Sequence, residues 1–150
     1  MTIKLVVCAV ITLVATGIAP VSAAPVDGVD PIAIRQVGMA METGAFGYIR
    51  SVVAAKGDLK ALESSARAIA RWQTILPTLF PPGSEKGGDT RSLPEIWSDR
   101  AGFDKLAAET AATATRLAVA ARADDADAVA TETKALGAQC GACHRGYRAK

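Results

Sequence analysis

Apolar residues recur along most of the chain at the three- and four-residue spacing of helices, and strand-like alternation is scarce. Turn and cap residues divide this pattern into four helical stretches. Asp30-Pro31 is typical of a helix start, and Gly57 is expected to end that first helix. Asp58 can cap the second helix, which continues to about Leu76. The pattern therefore predicts an all-α protein.

The longest connection follows the second helix. Prolines and glycines concentrate in residues 77–93, so we expect an ordered crossing loop there. Ser92 or Leu93, followed by Pro94, begins the third helix. The residues expected on its inward face are Ile96, Phe103, Leu106, Ala114 and Leu117.

The last helix has the most regular periodicity. Asp124 and Asp125 can cap it, and its apolar stripe steps by four and three residues in alternation. That stripe consists of Val129, Thr133, Leu136, Cys140, Cys143 and Tyr147, so both cysteines are expected on a buried face. Four helices joined by two short connections and one long one predict an antiparallel four-helix bundle that holds a cofactor between facing helices.

The first helix carries two apolar stripes that point in different directions. The first stripe consists of Ile34, Val37, Met41 and Tyr48. The second stripe consists of Met39, Phe46, Ile49 and Val53. One of them can face the bundle core. The other is expected to contact a cofactor or a second subunit, because a helix that is apolar on two sides is seldom left half in water.

The first residues have the features of an export signal. Lys4 precedes an apolar run that is too short to span a bilayer comfortably. Small side chains then lead to a cleavage site expected after Ala23, with Ala24 as the alternative. We therefore expect a signal peptide at residues 1–23, one domain at residues 24–150, and a periplasmic protein without a membrane anchor.

Charge and cysteine content restrict the possible partners. The formal net charge is +2, and basic and acidic residues are interspersed. This distribution indicates neither nucleic acid nor an anionic membrane as a partner. Cys8 is removed with the expected signal peptide. Cys140 and Cys143 would then remain outside the cytoplasm, where thiols are expected to be oxidised, metal-bound or attached to a cofactor.

The segment Cys140-Gly141-Ala142-Cys143-His144 has the spacing of a c-type haem attachment site. Residues three or four apart share a helix face, so two thiols and one imidazole are presented together. Each thiol can add to a vinyl group of haem, and the imidazole can bind the iron. His144 is the single histidine of the chain. We predict one covalent haem c per chain, attached at Cys140 and Cys143, with His144 as an axial iron ligand.

Other roles remain open for these residues. The cysteines can also form a disulfide, a redox-active pair or half of a zinc site in a protein without haem. The zinc alternative lacks a further cysteine or histidine to complete a tetrahedral site. A thioredoxin-like motif expects a βαβ unit, which the pattern does not predict.

Three segments together resemble cytochrome c′, a class II c-type cytochrome, over essentially all of residues 24–150. The first segment is Arg35-Gln36 followed by Met39, and the third is residues 140–148. The second is residues 87–99, which contain Gly87-Gly88-Asp89-Thr90-Arg91 and Pro94-Glu95-Ile96-Trp97-Ser98-Asp99. A haem motif near the C-terminus separates this class from class I cytochromes c. Cytochrome c′ is itself one of the proteins that define the four-helix bundle, so the family implies that fold directly.

The resemblance also implies positions around the haem. It implies that Arg35 and Gln36 lie at the haem edge near the propionates and that Met39 lies over the distal iron face. It implies that Asp89 and Thr90 approach the haem from the loop. Without the family, Arg35 has the pattern of a solvated helix charge.

On the proximal side, the family's arginine corresponds to Arg148, four residues after His144. Its guanidinium can flank that face, whereas an arginine so close to a terminus can also be frayed into solvent. Trp97 and Phe103 are expected in the pocket wall or the core rather than as electron relays.

The function depends on whether Met39 binds the iron. In cytochrome c′ a bulky apolar residue at this place blocks the distal face without binding, whereas in the low-spin cytochromes c556 a methionine is the sixth ligand. Residues 35–36 and the loop at residues 87–97 resemble cytochrome c′ more than the cytochromes c556. We therefore predict high-spin, five-coordinate iron that binds NO or CO, carries single electrons, or both. O2 is disfavoured, because Met39 donates no hydrogen bond. The alternative is a low-spin electron-transfer cytochrome with Met39 as ligand.

No constellation for acid-base or covalent catalysis is present, so we do not expect an enzyme. The resemblance and the two-sided first helix imply a homodimer packed through the first two helices. Redox partner proteins are expected for an electron carrier.

Overall fold

The computed structural model describes residue 28 and residues 30–150. The expected signal peptide, its cleavage site and Cys8 lie outside the described residues, so they remain predictions. The helices are α1 (Pro31–Ala55), α2 (Glu63–Ile75), the short α3 (Glu95–Ser98), α4 (Arg100–Arg122) and α5 (Ala126–Tyr147), with 3-10 turns at Lys60–Leu62 and Leu76–Leu79. The four long helices α1, α2, α4 and α5 pack as a bundle.

Side-chain caps explain most of the helix starts. Asp30 Oδ1 accepts a hydrogen bond of 2.8 Å from the Ile32 amide, which fixes the first turn of α1. Asp58 Oδ1 accepts one of 3.0 Å from the Lys60 amide and so begins the turn before α2. Of the two aspartates expected to cap α5, only Asp125 does so, at 3.0 Å from the Ala128 amide. Asp124 instead takes a left-handed conformation with φ 59°.

The end of α1 is formed by Lys56 rather than by Gly57. Lys56 is the C-cap in a left-handed conformation with φ 51°, and its amide donates to carbonyls of the last turn. The Gly57 amide donates to the Val52 carbonyl at 3.0 Å. The helix therefore ends at Ala55, close to the predicted position.

The third helix differs from its prediction, because it is broken at Asp99. Asp99 has φ −117° and ψ 52°, and its carboxylate accepts a hydrogen bond from the Gly102 amide, so it ends α3 and caps α4. The expected inward positions Ile96, Phe103, Ala114 and Leu117 are buried. Leu106 is only half-buried. The packed face of α4 is centred on Ala107, Ala111, Ala114 and Ala118, which let α2 approach closely, and Leu106 lies at its edge.

Two apolar clusters fill the molecule. The main core contains Ile49, Leu62, Ile69, Leu117 and Leu136 among its members. The second cluster, called the Phe80 cluster below, consists of Leu76, Phe80, Ile96 and Phe103. Phe80 and Phe103 meet edge to face with ring centres 5.0 Å apart.

The two stripes of α1 have different environments, and a single stripe contacts both the main core and the Phe80 cluster. Ile49 is buried in the main core, and Phe46 and Val53 pack against it. Met39 packs against the Phe80 cluster. The other stripe is largely in solvent, since the exposed fractions of Val37 and Met41 are 60% and 71%.

The crossing loop is tied to the end of the chain. The Leu93 amide donates to the Tyr147 carbonyl at 3.1 Å, and the Ala149 amide donates to the Arg91 carbonyl at 2.8 Å. These bonds surround an isolated antiparallel bridge between Ser92 and Arg148. Among the residues described, no helix combines the length and hydrophobicity that crossing a bilayer requires.

Candidate functional site

A cavity of about 700 Å³ lies between α1 and α5, two helices that pack weakly against each other. Its α5 wall includes Cys140, Cys143 and His144, and its α1 wall includes Met39 and Glu42. All four members of the Phe80 cluster also line it. The volume lies within the range of about 300–1,000 Å³ typical of cofactor and ligand pockets.

The α5 stripe is buried at Val129, Thr133 and Leu136 and then opens onto this cavity. Cys140 and Cys143 are half-buried free thiols on that wall. Burial, with a smaller effect of the Glu42 charge, raises the pKa of each thiol to about 11. Both cysteines are therefore neutral thiols at neutral pH.

His144 is half-buried beside the two thiols. Burial lowers the pKa of its imidazole, and the positive charges of Arg148 and Arg91 lower it further. The neutral imidazole is the form that binds a metal ion.

Arg35 is buried, with 4% of its surface exposed, so its interpretation as a solvated helix charge is wrong. Nη1 donates hydrogen bonds of 2.9 Å to the Leu79 carbonyl and to Ser84 Oγ. Nη2 donates to the Ser84 carbonyl at 3.1 Å and to Thr90 Oγ1 at 3.2 Å. The guanidinium carbon lies 4.3 Å from the Phe80 ring centre. Arg35 lines the cavity while it holds the crossing loop against α1.

The other residues expected around the haem also line the cavity. Gln36 and Asp89 are exposed at its edge, and Thr90 is half-buried beneath Arg35. The Arg148 side chain is exposed, but its backbone is held by the bridge to Ser92, so it is not a frayed terminal residue.

The two aromatic residues differ in position. Phe103 lines the cavity and belongs to the Phe80 cluster. Trp97 packs against that cluster from outside the lining.

Sequence reasoning missed three polar residues of this region. Ser84 is buried and receives Arg35, although nothing in its Pro/Gly-rich surroundings distinguishes it. Glu42 and Gln73 both line the cavity, and Gln73 Nε2 donates to Glu42 Oε1 at 2.7 Å. The helical spacing could have predicted Glu42 at the cavity, because residues three apart share a helix face and Met39 was already expected there.

The residues of the cavity fit the predicted haem. Two thiols on consecutive turns and the single imidazole stand on one wall, and the floor is apolar. Arg91 and Arg148 provide cations at the lining, which suits a flat apolar ring with anionic propionates. In the described part of the chain, no three His, Cys, Asp or Glu side chains are grouped to hold a metal ion by themselves, as the zinc alternative requires.

Comparisons with known proteins agree with this geometry. The family model for cytochrome C′ matches residues 30–148. A cytochrome c′ of Rhodopseudomonas palustris is 45% identical over 96 residues, an alignment that spans 64% of this chain and 64% of that relative, less than two thirds of its length. A cytochrome c-556 of Agrobacterium tumefaciens is 33% identical over 121 residues, or 78% of this chain and 91% of the relative.

Among solved structures, a cytochrome c′ with an unusual ligand-controlled dimer dissociation superposes with a TM-score of 0.75 at 32% identity. The match covers 82% of this chain and 99% of the other. The predicted all-α four-helix bundle is thereby confirmed.

Proposed function

The chain belongs to the cytochrome c′ family, whose members carry covalently attached haem c, and on that premise we propose that Cys140 and Cys143 attach the haem and that His144 binds its iron. The observation that carries this proposal is the arrangement of one cavity, with both thiols and the single imidazole on the α5 wall and Met39 on the α1 wall. When bound, the haem supplies an iron that exchanges one electron and accepts a small ligand.

The α5 side chains are suited to these roles. Cys140 and Cys143 lie three residues apart, so their thiols face the cavity together. Burial and nearby cations lower the pKa of His144, which favours the neutral imidazole whose nitrogen lone pair can bind iron. A haem-free thiol redox protein is disfavoured, because reactive thiols have a lowered pKa, whereas burial raises the pKa of both thiols here to about 11.

On the α1 side, Met39 shields the iron without binding it. Its side chain packs against the Phe80 cluster, which favours a steric role. We therefore assign the chain five-coordinate, high-spin iron that binds NO or CO and carries single electrons. The second candidate is a low-spin cytochrome with Met39 as the sixth ligand, favoured by the similarity to a cytochrome c-556.

The same proposal covers location and activity. Because c-type haem is attached outside the cytoplasm, the proposed haem attachment supports a signal peptide at residues 1–23 and a periplasmic location for the protein. The thiols and the imidazole are committed to the haem, so we assign a haem carrier with redox partner proteins rather than an enzyme.

We also propose a homodimer packed through α1 and α2. The apolar stripe of α1 is exposed at Val37, Met41 and Tyr48, and Ile75 at the end of α2 is exposed as well. An apolar face of this kind is typical of an interaction surface. A structurally similar cytochrome c′ undergoes ligand-controlled dimer dissociation.

Haem staining of a denaturing gel tests the attachment. The chain is expressed in cells competent for cytochrome maturation, and we expect a stained band that survives denaturation. The double variant Cys140→Ser/Cys143→Ser should lose the stain. The matched control Ala142→Ser leaves both thiols in place and should keep it. A colourless wild-type band would contradict the proposal.

A further inference from the structure

Glu42 places a carboxyl group on the α1 wall of the cavity. It follows Met39 by three residues, so the two side chains share one face of the helix. Glu42 Oε1 accepts a hydrogen bond of 2.7 Å from Gln73 Nε2, and Gln73 on α2 is itself buried, with 7% of its surface exposed. The carboxyl group is thus held in a fixed position by a second helix.

Glu42 lacks a cationic partner in the described part of the chain, since none of the ion pairs there includes it. Burial raises the pKa of its carboxyl group, and the hydrogen bond from Gln73 offsets only part of that effect. Glu42 is half-buried, and partial burial without a cation shifts its carboxyl group towards the neutral acid, which has an O–H to donate. The other carboxyl group of the lining, that of Asp89, is exposed at the edge instead.

We propose that Glu42, positioned by Gln73, donates a hydrogen bond to a small ligand bound in the cavity and so determines which ligands are retained. This inference rests on the proposed function, in which His144 holds the iron from the α5 wall and a ligand enters on the α1 side. The expected selection against O2 depended on Met39 having no hydrogen bond to donate. Glu42 supplies that donor, so the pocket favours diatomic ligands whose outer atom accepts a hydrogen bond.

The infrared C–O stretch of carbon monoxide bound to the reduced holoprotein is a direct probe, because a hydrogen bond to the ligand oxygen lowers this frequency. We expect Glu42→Leu to raise the frequency and to speed CO release by up to about tenfold, the equivalent of one hydrogen bond. Glu42→Gln retains a donor and should give an intermediate shift. Gln73→Leu releases the carboxyl group and should shift the frequency in the same direction by less.

Glu109→Leu is the control, because Glu109 is a solvent-exposed carboxylate on α4 outside the cavity. Each variant is also measured in combination with Met39→Ala in the same chain, so that CO binds whether or not Met39 is an iron ligand. An unchanged frequency in Glu42→Leu overturns the inference and leaves the haem assignment intact. A lower C–O frequency in Glu42→Leu than in the wild-type protein also overturns the inference, because it shows that Glu42 acts on the ligand as an ionised carboxylate and not as a hydrogen-bond donor. A chain that never stains for haem overturns both proposals.

Discussion

Arg35 joins α1 to the crossing loop through four hydrogen bonds and a contact with the Phe80 ring. Its acceptors lie 44 to 55 residues away along the chain. No local pattern identifies such distant partners, so the local sequence predicts a solvent-exposed arginine at this position. The same reason applies to Glu42, whose partner Gln73 is on another helix.

We expect Arg35→Ala to lower the free energy of unfolding by about 2–4 kcal/mol, because it leaves several buried acceptors without a donor. Arg35→Lys should not restore stability, since an ammonium group cannot reproduce the planar fork of donors. Urea unfolding of the holoprotein measures both effects.

Arg67→Ala provides the control for this experiment. Arg67 pairs with Glu63 on the surface of α2, and its removal should cost less than about 1 kcal/mol. Equal losses for Arg35→Ala and Arg67→Ala would show that the loop does not depend on Arg35.

Tyr147 gives a prediction that depends on pH. Its hydroxyl donates a hydrogen bond of 2.8 Å to Asp99 Oδ2, and burial together with this bond raises the pKa of Tyr147 to about 12. Because the folded pKa is raised, the stabilisation is complete below the ordinary tyrosine pKa of about 10 and is lost as pH passes about 12. Tyr147→Phe should cost about 0.5–1 kcal/mol at neutral pH, and guanidinium unfolding should show this difference vanishing towards pH 12. A difference independent of pH would assign the loss to packing instead.

The helices show how far element boundaries follow from local chemistry. The starts at Asp30 and Asp125 were predicted correctly, because a cap needs only its own side chain and the next turn. The break at Asp99 was missed, although aspartate is a preferred N-cap and the neighbouring Ser98 and Gly102 are weak helix formers. Asp99 also receives the Tyr147 hydroxyl, 48 residues away, and the sequence gives no sign of that contact.

Two glycines of α1 test how closely this helix approaches α2. A Cβ atom at Gly38 would overlap the Trp72 ring, whereas one at Gly44 would meet nothing. We expect Gly38→Ala to destabilise the protein by about 1–3 kcal/mol through this overlap. Gly44→Ala should stabilise it by about 0.5–1 kcal/mol through helix propensity. Thermal unfolding of both variants makes the comparison, and a similar effect of the two substitutions would argue against close packing at Gly38.

At the scale of the whole molecule, the sequence predicted the four-helix bundle and the presentation of Cys140, Cys143 and His144 on one helix face, because both depend on short-range spacing. The size of the cavity depends on how weakly α1 and α5 pack, which no single helix determines. The same holds for the polar pair of Glu42 and Gln73. Long-range features of the pocket therefore required the structure.

The proposed dimer should depend on the exposed stripe of α1. Met41, with 71% of its surface exposed, is the most exposed of the large apolar residues described. We expect Met41→Lys to weaken the dimer at least about tenfold, since it places a charge in an apolar contact. Sedimentation velocity at micromolar concentration measures the change.

Val119→Lys is the matched control for that substitution, because Val119 is an exposed apolar residue on α4. It should leave the dimer intact. A monomeric wild-type protein, or equal dissociation by both variants, would contradict the assigned interface.

The coordination number of the iron decides between ligand binding and pure electron transfer, and the EPR and absorption spectra of the purified ferric protein measure it directly. With Met39 as a shield, we expect high-spin, five-coordinate iron in the wild-type protein and little change of spin state in Met39→Leu. Low-spin spectra that turn high-spin in Met39→Leu would show that Met39 is an iron ligand and would contradict the proposed open site.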